Sequence, residues 1–361
     1  MNIFRGIFII YIVLTSAIFF YFNYNFTING IDGYTRSIVY DSYTYISKFK
    51  DDYYVSIYNN FDFKFLTKYI SYDFEKLDLK IDNSMGILNL YYFFFQNLYL
   101  IFFFQLIFFL YGTLELSNHI FEKKDKNFFF IMIILNFYII ASISPLNKEI
   151  LTYLSFLYLL LFKIRKNLFF MILSIIFAFF CRGNFLFIIL TYFTLELLII
   201  NQILKKNTVK GIYIILILSI LSYITFNYDE ISLSAVNDSW QGPGSLGITK
   251  IIDEFNSKYY IHFITIFIKI VGNLFGGIIK PLNNTNLEHL FNFLSQIYFL
   301  IIILILFFKK KDYLKTNEFL FLLIYCMIFS SHSFIHHRYL LPSSIIFIYF
   351  IFSKKIFIVR L

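Results

Sequence analysis

Residues 86–114 form a long run that contains no charged side chain. The hydrocarbon core of a bilayer is about 30 Å thick, and a helix needs roughly 20 apolar residues to cross it. Similar runs fill most of the chain, because 59% of its 361 residues are hydrophobic and only 15% are charged. Soluble proteins carry about 25% charged residues. The sequence therefore excludes a soluble globular domain and predicts a polytopic membrane protein.

The apolar runs predict an all-α fold with about ten transmembrane helices. They cover residues 6–22, 86–114, 128–144, 145–162, 168–181, 185–204, 211–226, 290–308, 319–332 and 340–353. Serine before proline is a favourable helix start, so we expect Ser144 to cap the fourth helix and Pro145 to lie in its first turn.

A further apolar segment, near residues 251–280, does not fit this count. Three glycines interrupt it, at Gly272, Gly276 and Gly277. We therefore expect a re-entrant or interfacial segment here, with its irregular backbone covered by protein or water.

The basic residues predict the orientation of the helices, because short cytoplasmic loops are enriched in lysine and arginine. With ten spans, five basic clusters fall on one side, at residues 123–126, 163–166, 205–210, 309–315 and 354–360. Both termini are therefore expected in the cytoplasm. Residues 1–361 then form a single transmembrane domain with outer loops at 23–85 and 227–289. Aromatic residues at helical spacing predict that the first of these loops is helical.

Charged residues at the outer ends of the spans are the first functional candidates. Lys148 and Glu149 open the fourth span, and Arg182 lies in the next outer turn. One interpretation is structural: Glu149 complements the helix dipole, Lys148 extends to the interface, and Arg182 caps its turn and pairs with Glu149. The other is functional, since a lysine at a helix N-terminus and an arginine fork together favour a bound anion.

Two other outer segments carry candidate groups. His332, His336 and His337 lie close together before the last span. They could be neutral interfacial residues, or act as acid, base or pyrophosphate donor. His332 and His336 could also share a helix face and bind a metal, but such a site needs a third ligand from elsewhere. Asp41, in the first outer loop, could act as a general base or simply be solvated. Glu196, by contrast, lies near the cytoplasmic end of its span and is expected to bond a neighbouring helix.

Several short motifs resemble those of the Wzy-type polymerases of O-antigen and oligosaccharide repeat units, including the EpsG-like group. They are an Asp-x-x-x-Tyr pair (Asp41, Tyr45), Pro145-Leu146-Asn147-Lys148-Glu149, Arg182, and His337-Arg338-Tyr339-Leu340-Leu341-Pro342 before the last span. The resemblance in layout covers nearly the whole chain. It implies a GT-C-like glycosyltransferase in the bacterial inner membrane.

Enzymes of this family transfer a growing glycan from undecaprenyl pyrophosphate onto an incoming lipid-linked repeat unit. The resemblance implies that Lys148, Arg182, Arg338 and Tyr339 bind the pyrophosphate or substrate. It leaves three candidates for the base: Asp41, Glu149 and His337. Membrane lipid and the lipid-linked oligosaccharide are the expected partners, with a chain-length regulator as a further candidate. No nucleic acid, metal or cofactor is expected.

Two other functions compete with polymerisation. The first is a GT-C transferase that takes one sugar from a polyprenyl monophosphate. Those enzymes typically carry a pair of acidic residues in the first outer loop, whereas Ser42 follows Asp41 here. The second is a flippase or transporter for lipid-linked oligosaccharide, which is expected to carry polar groups near the bilayer midplane.

Overall fold

The computed structural model describes Gly6 and residues 9–19, 70–73, 78–81, 85–120, 122–143, 146–226, 262–279, 287–308, 311–330 and 339–353. Helices dominate this part of the chain, as the all-α prediction requires. They are α1 (Ile9–Phe19), α2 (Met85–Phe93), α3 (Leu98–Asn118), α4 (Lys123–Ile134), α5 (Phe137–Ser142), α6 (Lys148–Arg165), α7 (Leu168–Cys181), α8 (Gly183–Ile200), α9 (Lys206–Phe226), α10 (His262–Ile279), α11 (Leu287–Phe308), α12 (Asn317–Ser330) and α13 (Ser344–Phe352). Short 3₁₀ helices cover Lys311–Lys315 and Leu341–Ser343.

One β-hairpin departs from the all-α prediction. Strand β1 (Ile70–Asp73) pairs antiparallel with β2 (Asp78–Ile81), with Ile70 opposite Ile81. These residues belong to the predicted first outer loop, so the prediction that this loop is helical is wrong for them. Isoleucine and tyrosine favour strands, and pairing satisfies backbone groups that four-residue segments cannot satisfy as helices. The aromatic pattern at residues 53–69 lies outside the described residues.

The predicted second span is two helices, not one. The helix α2 ends at Phe93, and Phe95 and Gln96 take left-handed backbone angles with φ of 52° and 60°. The Asn97 side chain then accepts hydrogen bonds from the backbone N–H groups of Tyr99 and Leu100, which starts α3. A capping asparagine therefore divides into two helices an apolar run that hydropathy alone treats as one span. The predicted third span divides in the same way, because Asn136 caps α5.

The segment with three glycines is one continuous helix, α10, so the prediction that Gly272, Gly276 and Gly277 interrupt it is wrong. A glycine inside a helix costs only about 1 kcal/mol relative to alanine. The unbroken helix packs against α9 and α12. Residues 251–261 and 280 lie outside the described residues.

The chain divides into two compact units. Unit 1 comprises Met1–Thr191, Leu282–Tyr298 and Pro342–Leu361, and unit 2 comprises Tyr192–Pro281 and Phe299–Leu341.

Helix α6 is the centre of unit 1, where it packs against α3, α5, α7 and α13. Every residue of α6 is buried except Lys163 and Arg165. Ser155 on α6 and Ser174 on α7 hold these two helices together, since each hydroxyl donates to the other residue's carbonyl, at 2.9 and 2.8 Å. Small polar residues of this kind allow close helix packing in an apolar surrounding.

Unit 2 has its own apolar core, which α9, α10 and α12 share. Ile266 on α10 and Met327 on α12 are buried together, and Ile217 and Leu221 on α9 pack against them. The three helices therefore pack against one another around a shared core within unit 2.

Large apolar side chains are exposed in regular stripes. On α3 these are Tyr99, Phe103, Ile107 and Tyr111, one every four residues. Similar exposed stripes lie on α7, α9, α10 and α11. Among the helices that the structure describes, two, α3 and α8, are long and apolar enough to cross a bilayer, and this indicates a membrane protein. The predicted count of ten spans is not confirmed.

Candidate functional site

The N-terminus of α6 is built by the motif around Asn147. Leu146 is buried and takes a left-handed conformation with φ of 59°, which is strained for a residue with a large side chain. Asn147 follows in an extended conformation, and its Oδ1 accepts a hydrogen bond from the N–H of Glu149 at 2.9 Å. The helix therefore begins at Lys148 and is capped by Asn147. The prediction that Ser144 is the cap and Pro145 lies in the first turn is wrong, and both residues lie outside the described part.

Arg182 forms the whole junction between α7 and α8. Its backbone is extended, its N–H donates to the carbonyl of Ala178, and its own carbonyl accepts from the N–H of Leu186. One residue thus ends one helix and starts the next. The predicted tight turn is confirmed, and the Arg182 side chain extends from it.

The two helix ends meet through an ion pair. The Arg182 Nη2 atom lies 3.3 Å from Glu149 Oε1, with side-chain exposures of 14% and 2%. The structural interpretation of Arg182 as a partner of Glu149 is therefore confirmed, and the anion-binding interpretation stays a prediction. Because the pair is almost fully shielded, its charges are screened by water much less than those of surface pairs.

The Lys148 carbonyl and the Cys181 thiol add further contacts between these two helix ends. The carbonyl of Lys148 accepts a hydrogen bond from Thr152 Oγ1 at 3.0 Å and from Cys181 Sγ at 3.4 Å, and the Thr152 hydroxyl lies 3.0 Å from that sulfur. Sequence reasoning missed Thr152 and Cys181. Their only signal in the sequence is that each lies within a few residues of a charged side chain of the candidate site.

From here on, the junction means Lys148, Glu149 and Arg182 at the N-terminus of α6. It carries two cationic side chains and one carboxylate. The Lys148 side chain is buried, and the helix N-terminus adds partial positive charge. A guanidinium presents five N–H donors in a planar fork, which suits a phosphate or carboxylate. Chemically, the junction can therefore attract an anion and orient it.

The other predicted site residues are Asp41, His337, Arg338 and Tyr339. Asp41, His337 and Arg338 lie outside the described residues. Tyr339 belongs to unit 2, where its carbonyl accepts a hydrogen bond from the Tyr325 hydroxyl. Of the seven predicted site residues, the structure brings Lys148, Glu149 and Arg182 together in unit 1 and leaves Tyr339 in unit 2.

Glu196 behaves as its sequence position predicts. Its Oε1 accepts a hydrogen bond at 3.5 Å from Nδ2 of Asn317, which lies on α12, and its carboxylate is buried. The expectation that it bonds a neighbouring helix is confirmed. In the described ranges no group of three or more histidine, cysteine, aspartate or glutamate side chains could hold a metal ion. The cluster at His332, His336 and His337 lies outside those ranges.

Comparisons with protein-family models, with curated proteins and with solved structures find no match to this chain.

Proposed function

We propose that this chain is a GT-C-like membrane glycosyltransferase that polymerises lipid-linked oligosaccharide repeat units at the outer face of the bacterial inner membrane. The observation that carries the proposal is the junction of Lys148, Glu149 and Arg182. Two cationic side chains, a helix N-terminus and one carboxylate lie together there, between long apolar helices. The motif resemblance supplies the reaction.

Exposed apolar stripes support membrane embedding. Soluble monomers rarely expose large contiguous apolar surfaces, whereas the outer faces of α3, α7, α9, α10 and α11 all do. Within unit 1, buried faces of α3 and α6 carry polar residues such as Gln105 and Ser155. An apolar exterior with polar groups inside suits a lipid solvent. We infer a polytopic protein with about ten spans and both termini in the cytoplasm.

The reaction needs a cationic site for its leaving group. A hydroxyl of the acceptor repeat unit attacks the anomeric carbon of the growing glycan, a new glycosidic bond forms, and the bond to undecaprenyl pyrophosphate breaks. The pyrophosphate leaves as an anion, which Arg182 and Lys148 stabilise from the N-terminus of α6, with Arg338 as a further candidate. Preorganised charges of this kind are often the largest catalytic contribution.

The hydroxyl proton must pass to a base. Asp41, Glu149 and His337 are the candidates, and Glu149 has a second task because it lies against Arg182 and orients its guanidinium. A base must lie within hydrogen-bond reach of the proton it takes. The substrate is the lipid-linked oligosaccharide, and a chain-length regulator is a candidate partner.

Deleting the gene tests the proposed function. A mutant that lacks the polymerase is expected to display glycans with a single repeat unit and to lose all longer chains, because export of single units continues without polymerisation. Gel electrophoresis of extracted polysaccharide measures this, and the intact gene on a plasmid should restore the ladder. Loss of single units as well would contradict polymerisation and favour export. Units that all lack one sugar would favour the monophosphate-dependent transferase.

Transport is the second candidate function, and one observation favours it. Gln105 on α3 and Gln296 on α11 are fully buried near the middle of their helices, and neither side chain has a hydrogen-bond partner in the described part of unit 1. Polar groups at such depth are typical of transport pathways. The deletion phenotype separates the two functions.

The cap at Asn147 gives a test of the junction's geometry. Replacing Asn147 with alanine removes the bond to Glu149 N–H and is expected to cost about 1 kcal/mol of stability. It should also reduce polymer length, because Glu149 and Arg182 lose their fixed positions. Asn167→Ala is the matched control, since Asn167 caps α7 in the same way through Phe169 N–H at 2.9 Å. It should cost similar stability and leave the ladder intact.

Unfolding can be followed with a thiol-reactive fluorescent dye, because Cys181 and Cys326 are both free and buried. Equal ladders in Asn147→Ala and Asn167→Ala at equal protein levels would argue against a functional role for the α6 N-terminus.

A further inference from the structure

The peptide unit that joins Lys148 to Glu149 is hydrogen-bonded at both of its polar atoms. Its N–H donates to Asn147 Oδ1 at 2.9 Å, and its carbonyl oxygen, which belongs to Lys148, accepts from Thr152 Oγ1 at 3.0 Å. A peptide unit is planar and rigid, and it includes the Cα atoms of both residues that it joins. The two hydrogen bonds therefore fix the points from which the Lys148 and Glu149 side chains extend.

The same carbonyl oxygen connects α6 to the last residue of α7. Cys181 Sγ lies 3.4 Å from the carbonyl oxygen of Lys148 and 3.0 Å from Thr152 Oγ1. A thiol has one hydrogen to donate, and a threonine hydroxyl can donate one hydrogen and accept others. The thiol donates to one of these two oxygen atoms, and both belong to α6. Either arrangement therefore joins the end of α7 to the first turn of α6.

This link lies next to the ion pair in both helices. Glu149 directly follows Lys148, and Arg182 directly follows Cys181. The Arg182 Nη2 and Glu149 Oε1 atoms lie 3.3 Å apart. Thr152 is 5% exposed and Cys181 is fully buried, so water does not compete for their hydrogen bonds. The contact between Thr152, Cys181 and the Lys148 carbonyl therefore holds the backbones of the two ion-pair partners at a fixed separation.

A purely structural role explains only part of this arrangement. A helical threonine often donates to the carbonyl four residues before it, as Thr191 does on α8 and Thr225 on α9. That habit does not account for the contact of Thr152 with a sulfur atom of another helix. Close packing of α6 on α7 has a second hydroxyl link, because Ser155 donates to the carbonyl of Ser174. Thr152 therefore adds a link where the charged residues begin.

We propose that Thr152 and Cys181 are positioning residues of the anion site at the junction. They hold the backbone of Lys148 and Glu149 against the end of α7, so that the Arg182 guanidinium and the α6 N-terminus face the same leaving pyrophosphate. Both act through the charged residues and not on the substrate. This inference rests on the proposed function. Its physical basis is that a misplacement of about 1 Å can lower the rate of a reaction about 100-fold.

Thr152→Val tests the proposal, because valine keeps the shape of threonine and lacks the hydroxyl. The variant is expressed from a plasmid in the deletion strain. Gel electrophoresis of extracted polysaccharide should show at least about tenfold less long polymer than the native protein makes, at an unchanged protein level. Thr152→Ser keeps the hydroxyl and should restore the ladder. Ser155→Ala is the matched control, since it also loses a buried hydroxyl that joins α6 to α7, and its ladder should remain normal.

A second pair of variants tests the link from the α7 side. Cys181→Ala removes the thiol and leaves the hydrogen bond from Thr152 to Lys148 in place, and it should also reduce long polymer. Cys326→Ala is its control, because Cys326 is a free and buried cysteine on α12 in unit 2. Thermal unfolding with the thiol-reactive dye, which reacts with the remaining cysteine, compares the stability of each variant with that of its control.

The deletion strain separates failure of this inference from failure of the proposed function. Where deletion reduces the ladder to single units, a normal ladder in Thr152→Val or Cys181→Ala would overturn the positioning role alone. An equal loss of polymer in Ser155→Ala, or no recovery in Thr152→Ser, would do the same. A ladder that survives deletion of the gene would overturn the proposed function and this inference with it.

Discussion

Cells in which Arg182 is replaced by lysine are expected to make almost no polymer, although the protein still inserts in the membrane. Lysine keeps the positive charge but loses the planar fork of donors that matches a pyrophosphate. Losing one preorganised donor to a developing anion typically lowers kcat by about 10²–10³-fold. Gel electrophoresis of extracted polysaccharide should show single repeat units in place of the ladder, at an unchanged protein level.

Arg165→Lys is the matched control for this variant. Arg165 lies at the other end of α6, forms an ion pair with Glu115, and donates from Nε to His119 Nε2 at 2.8 Å. Both variants therefore replace an arginine that forms an ion pair with a glutamate. Each of these ion pairs lies at one end of α6. The Arg165→Lys ladder should remain normal, because this end of α6 lies on the predicted cytoplasmic side. A normal ladder in Arg182→Lys would remove Arg182 from the site.

The largest effect on stability is expected from Gly86→Ala. Gly86 lies where α2 packs against α7, and a Cβ atom there would lie 2.7 Å from the carbonyl oxygen of Phe179 and 3.0 Å from backbone atoms of Phe180. Backbone atoms cannot rotate away as a side chain can, so the two helices must separate. Overpacking of this kind costs about 1–3 kcal/mol. The unfolding midpoint should fall by about 2–4 °C for each kcal/mol.

Gly211→Ala provides the matched control, because Gly211 lies in α9 and a Cβ atom there meets nothing within 4 Å. Alanine in a helix is favoured over glycine by about 0.5–1 kcal/mol, so this variant should unfold at the same temperature or a higher one. Thermal unfolding with the thiol-reactive dye measures both. Equal midpoints for Gly86→Ala and the native protein would contradict the close packing of α2 on α7.

Much of the candidate site could be predicted from the sequence because charged residues are scarce in this chain. The helices α6 and α7 separate Lys148 and Glu149 from Arg182, and the chain reversal between two consecutive helices brings the start of the first close to the end of the second. Pairing of Arg182 with Glu149 was therefore one of the available interpretations, and the structure has it at 3.3 Å. The partner of Glu196 was predicted only as a neighbouring helix, and Asn317 could not be named in advance.

Helix boundaries were predicted less well, because they depend on single backbone conformations that hydropathy does not register. Asn97 and Asn136 cap new helices inside apolar runs, and the left-handed Leu146 delays α6 until Lys148. The opposite error occurred at Gly272, Gly276 and Gly277, where α10 continues because each glycine costs only about 1 kcal/mol relative to alanine.

The sequence by itself determined the kind of environment that this protein needs and the chemical groups available at its candidate site. Its apolar composition calls for a lipid environment, and the charges of its candidate site lie at helix ends. Only the tertiary structure decided which polar groups meet. Glu196 and Asn317 are far apart in the chain, and they form a hydrogen bond because the fold brings α8 and α12 together. Contacts of this kind depend on how helices pack, which local sequence patterns do not encode.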